Sequence, residues 1–131
     1  MKVENDNLFH KGSPMPEAYA LYFSGQAYLN PLTKSLNIAN VTFEPGCRNN
    51  WHIHHKGGQI LLVTAGRGWY QAWGETAREL HPGDVVEIPP ETKHWHGAAV
   101  TTGCRILRLR FRLSVVRSNG WKQSMRTNLL T

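Results

Sequence analysis

The chain has no long apolar run. In its first 104 residues the longest purely aliphatic one is Ile60–Leu61–Leu62–Val63, far short of the roughly 20 residues that a membrane-spanning helix needs. No membrane partner is predicted. The opening Met1-Lys2-Val3-Glu4-Asn5-Asp6-Asn7 lacks the apolar stretch of a secretory signal. Cysteine is scarce. Cys47 and Cys104 alone are too few for a disulfide scaffold, and they read as reduced thiols of a cytoplasmic protein. No window of a dozen or so residues carries an apolar period near 3.6, which excludes a helical bundle, and no repeat of solenoid length is visible.

Negative charge is missing from one end. Residues 105–131 hold seven Lys/Arg and no acid, whereas residues 1–104 hold eight Lys/Arg against all nine acids. The formal charge of +6 therefore belongs to the C-terminal stretch, and the body is close to neutral. A basic body would point to nucleic acid. This distribution does not, and no nucleic-acid partner is predicted. A length of 131 residues suits one domain.

What is present is a series of short apolar segments punctuated by Gly, Pro and Asn. Leu21–Phe23, Ala27–Leu29, Leu36–Phe43, Gln59–Ala65, Gly68–Trp73, Ala77–Leu80, Val85–Ile88, Lys93–Val100 and Arg105–Leu113 read as strands. Turn signals such as Pro45-Gly46, Gly66, Gly74-Glu75, His81-Pro82-Gly83-Asp84 and Pro89-Pro90 separate them. The pattern predicts an all-β sandwich or jelly-roll barrel. Residues 1–20 read as an N-terminal arm, 21–113 as the barrel and 114–131 as a divergent basic tail.

Five of the seven histidines fall in two clusters, Trp51-His52-Ile53-His54-His55 and Lys93-His94-Trp95-His96. On a strand, alternate side chains share a face, so His52 pairs with His54 and His94 with His96, while His55 points away. Imidazoles held on rigid strands suit one divalent transition metal. Gln59 opens the apolar segment between the clusters, and its amide needs a partner once buried. His10 and His81 read as ordinary surface or satisfied histidines. Trp51, Trp69, Trp73 and Trp95 read as apolar wall and core material.

These spacings resemble the cupin family. Gly46-x5-His52-x-His54-x4-Gln59-x6-Gly66 is similar to the first cupin motif, with Gln59 in place of the usual Glu. Gly83-x5-Pro89-x-Glu91-x2-His94 is similar to the second, with Glu91 where the family has Gly and Ala98 where many members have Asn. The resemblance spans residues 20–104. It implies a double-stranded β-helix in which His52, His54, Gln59 and His94 converge on one metal. Thr42-Phe43-Glu44-Pro45-Gly46 and Lys93-His94-Trp95-His96-Gly97-Ala98-Ala99 resemble small cupins more closely. Among these are manganese-dependent hydroxynitrile lyases and cupins associated with carboxymuconolactone decarboxylases.

The implied shell is uncharged, so the metal charge stays uncompensated and favours a small anionic or chelating substrate. Manganese comes first by resemblance, with iron, nickel and zinc also suited to N/O donors. His96 is the candidate general acid or base. The function implied is a metal-dependent lyase on a small hydroxyl or carbonyl compound. The alternatives are ring opening of unsaturated uronates, a dioxygenase, and a cupin that binds a small molecule without turnover. A homodimer is the family default.

The resemblance breaks after Cys104. The related cupins continue with a His-containing segment and an acidic end, whereas Arg105–Leu113 alternates Arg with apolar residues. It reads as an edge strand with its Arg face outward, where charge discourages edge pairing. Read one base earlier, one back-translation of residues 120–128 gives Met-Glu-Ala-Val-Asp-Glu-Asp-Glu, an ending of the missing acidic kind. A shifted frame predicts that the gene's codons spell this; codons that cannot do so rule it out.

Overall fold

A computed structural model describes residues 8–118 and 122–129. Two antiparallel sheets close around one core. The larger sheet contains β1 (Ser13–Pro14), β3 (Ala27–Pro31), β4 (Ile38–Phe43), β11 (Cys104–Ser118), β6 (Gly57–Gly66) and β9 (Val85–Ile88), in that order. β12 (Lys122–Leu129) pairs with the far end of β11. The smaller sheet runs β2 (Phe23–Ser24), β5 (Arg48–Asn49), β10 (His94–Ala98), β7 (Gly68–Ala72) and β8 (Arg78–Leu80). Among the described residues the only helix is α1 (Glu17–Ala20), and no helix is long and apolar enough to cross a membrane. The architecture is the expected all-β jelly roll.

The core follows from alternation along these strands. Val41 and Phe43 of β4, Leu61 and Val63 of β6, Val86 and Ile88 of β9 and Ile106 of β11 point inward. They meet Leu80 and Ala98 from the smaller sheet. Cys47 and Cys104 are buried free thiols, and burial pushes Cys104 up to about 12, so neither is poised to react.

Both ends of the chain add to the larger sheet. Within the N-terminal arm, β1 pairs with β3, and Met15 N–H donates to Ala27 O (2.9 Å). Unsatisfied donors and acceptors on β3 give this polar, Pro-containing stretch a place to dock. Arg105–Leu113 is not an edge. It lies in β11, a central strand bonded to β4 on one side and β6 on the other. β11 also runs on to Ser118 and turns back as β12.

The turn between β6 and β7 hinges on Gly66. Its φ is +78°, and an added Cβ would collide with the Gly103 carbonyl. A left-handed backbone costs an L side chain roughly 1–2 kcal/mol before any clash. Gly66→Ala should therefore lower unfolding free energy by at least about 1 kcal/mol, measured by urea denaturation.

Candidate metal centre

The site begins with a backbone bridge. His52 N–H donates to His94 O (3.0 Å) and His94 N–H donates to His52 O (2.9 Å). Only this bridge is β-like, because residues 53–56 form a loop rather than the expected strand. His52 and His54 nonetheless meet, with ring centroids 4.9 Å apart, and His52 lies 4.3 Å from His94. One ring nitrogen from each of His52, His54 and His94 falls within 4.8 Å of the others.

His94 and His96 share a face of β10, as alternation requires, and their rings stack at 6° with centroids 6.0 Å apart. Gln59 enters from the start of β6, nearly fully buried. The expected donor set is thus partly assembled by geometry. His52, His54 and His94 cluster directly, while Gln59 lines the same cavity as His52 and His54.

Glu91 ties down the loop. Its φ of 66° is one that glycine adopts freely, and the loop residue Lys56 has a similar φ of 67°. Glu91 N–H donates to His54 O (2.9 Å), and its carboxylate accepts from Lys56 N–H (3.1 Å). The same carboxylate lies 2.6 Å from His55 Nδ1, so His55 faces outward as expected. The His55 contact, followed by the Lys56 amide, holds the Glu91 carboxyl below its usual range.

Hydrogen bonds at Nδ1 set the tautomers. His52 Nδ1–H donates to Asn50 O (2.6 Å) and His94 Nδ1–H to Thr92 O (2.8 Å), leaving Nε2 of each as a lone-pair donor. His94 Nε2, His54 Nε2 and Gln59 Oε1 are buried without a protein partner. Buried polar atoms are rarely left so; the histidine cluster is of a kind that could hold a metal ion, and Gln59 shares the cavity wall with His52 and His54. His54 differs at its other nitrogen. Arg110 Nη2 donates to His54 Nδ1 (3.1 Å), which puts the neutral ring's proton on Nε2, so His54 ligates a metal through Nε2 only when Arg110 releases Nδ1.

His96 is almost entirely buried. Asn49 Oδ1 accepts from His96 N–H (2.9 Å), which turns Asn49 Nδ2 toward His96 Nε2 (3.3 Å). His96 therefore carries its proton on Nδ1, which has no protein partner. Burial lowers its pKa well below the ordinary value, helped by the neighbouring His94.

His52, His54, Gln59 and His96 line a cavity of about 470 Å³ together with Asn49, Arg108 and Arg110, while His94 lies behind His52 and is not part of its wall. None of Trp51, Trp69, Trp73 and Trp95 lines it. Trp51, Trp73 and Trp95 instead pack on one another and on cations: Trp51 sits edge-on to Trp73 at 5.0 Å, and Arg48 covers Trp95 at 4.2 Å. The two arginines were placed on the outside by the sequence pattern. Their phase with inward Ile106 was the available signal, and it conflicts with the usual outward placing of charge.

The family comparisons agree with this geometry. The Cupin domain family matches residues 39–110. The chain is 47% identical over 97 residues to (R)-mandelonitrile lyase of Granulicella tundricola, covering 70% of this chain and 73% of that protein. A cupin-like protein of Thermotoga maritima superimposes with a TM-score of 0.71 at 41% identity, over 79% of each chain. A predicted oxalate decarboxylase of the same organism has the same fold at 17% identity, with a TM-score of 0.68 over 79% of this chain and 95% of that one.

Burial pushes His94 down to about 4, and burial together with the Arg110 charge pushes His54 down to about 3. Their ordinary value is 6.5. Between these limits the unfolded chain binds more protons than the folded one. Stability of the metal-free protein should therefore fall as pH drops from 6.5 toward about 4. Urea midpoints measured across that window check this, and a flat profile contradicts it.

Proposed function

The chain belongs to the cupin domain family, and from that premise we propose that it is a metal-dependent lyase of the hydroxynitrile lyase kind. One observation supports this above the others. Buried, unpartnered, uncharged donors from three parts of the chain converge beside a ligand-sized cavity. On this reading His52, His54, Gln59 and His94 hold one divalent ion, manganese first and iron, nickel or zinc as alternatives. When bound, the ion supplies Lewis-acid polarisation of a substrate oxygen.

The protein's own part is positioning and proton traffic. In cyanohydrin cleavage the bond between carbinol carbon and nitrile breaks, an aldehyde forms, and the hydroxyl proton ends on cyanide. His96 is the group we assign to carry that proton. Its buried imidazole is neutral with the hydrogen on the unpartnered Nδ1, so it would give that proton to cyanide and take the hydroxyl proton at Nε2 in exchange for the Asn49 contact. The wall of Phe43, Val41 and Leu29 excludes water and accepts an apolar substituent.

Metal-loaded protein should release cyanide from mandelonitrile faster than metal-free protein does. His96→Asn should lower kcat about 100-fold while elemental analysis still finds the metal. No release above the metal-free level would remove the hydroxynitrile lyase reading.

A further inference from the structure

β11 brings two guanidinium groups into the interior. Arg108 and Arg110 share the inward phase of Ile106 and line the cavity beside His54 and Gln59. Both lie within the stretch that matches the cupin family. Their hydrogen-bond partners are neutral. Arg108 Nη2 donates to Asn37 Oδ1 (2.8 Å), and Arg110 Nη2 donates to His54 Nδ1 (3.1 Å). The Nε atoms of both are buried without a partner.

Among the described residues that line this cavity there is no Asp or Glu. Burial and the neighbouring Arg110 lower Arg108 to about 10, so it stays charged at neutral pH. Two positive charges thus share a partly dry space with no counter-charge, and paired or anion-bound arginine is the usual resolution. The planar fork of arginine matches a carboxylate in two-point contact. The Arg110 contact with His54 is the weaker arrangement, since it puts a cation against a neutral ring.

We propose that Arg108 and Arg110 form a binding site for the carboxylate of a small 2-hydroxy or 2-oxo acid, seated between β11 and the histidine cluster. A ligand held there by its carboxylate places its oxygenated carbon toward His52, His54 and His94. This rests on the metal-dependent lyase reading for the fate of that carbon, but binding of the carboxylate does not require the metal. The cavity volume of about 470 Å³ is of the size that takes such a ligand.

The test compares mandelate with its uncharged amide, mandelamide, by calorimetric titration. It is run on wild type, Arg108→Gln, Arg110→Gln and Arg110→Lys, each with and without manganese. Metal-free wild type should bind mandelate about tenfold or more tightly than mandelamide. The preference should shrink to within about threefold in either Gln variant and survive in part in Arg110→Lys. Wild type alone keeps the test decisive if a variant does not fold.

No preference in the metal-free wild type overturns the proposal. So does a preference that needs manganese and ignores both Gln substitutions, a result that would leave the metal reading intact. A metal-independent, arginine-dependent preference in a chain that binds no manganese would support the proposal and defeat the metal reading.

Discussion

The reciprocal backbone bond between His52 and His94 is the constraint on which the site depends. It joins a loop to β10 at one point and sets two imidazoles 4.3 Å apart. Everything nearby is arranged around that fixed pair. Asn50 O and Thr92 O orient their rings, Glu91 fastens the loop that carries His54, and β6 delivers Gln59. The bridge is backbone to backbone, so it does not rely on side-chain order, and the rings are positioned before any ligand arrives.

The electrostatics of the interior follow from what surrounds this pair. Burial keeps the imidazoles neutral, and the only charges that the described residues bring to the cavity wall are two arginines. On the proposed reading, cationic walls and neutral nitrogen donors would select anions by two routes, one through arginine and one through a bound metal. Both routes act on one volume of about 470 Å³, so ligand charge and ligand shape are read together.

Most of the fold was legible because turn residues mark the strand limits. Pro45-Gly46, Gly66 and His81-Pro82-Gly83 stand where the chain reverses, and β4, β6, β7 and β9 fall close to the segments between them. The histidines were legible through their spacing, although His52 and His54 meet across a loop rather than along a strand. The facing of β11 was not. Alternation fixes which residues share a face, but only polarity marks which face turns inward, and it sends charge outward. Buried arginines invert that choice. The tryptophans divide: Trp95 is buried as core material, whereas Trp73 is largely exposed, since large apolar rings can cover the outside of a sheet as well as fill its inside.

β11 carries a further consequence. It is bonded on both edges, contributes Ile106 to the core and presents Arg108 and Arg110 to the cavity. Many enzymes vary their ligand-reading residues on loops, where drift is cheap. Here the two arginines proposed to read the ligand sit mid-sheet, next to the packing that folds the chain. A substitution that re-aims this wall therefore also tests the packing that holds the sheet together.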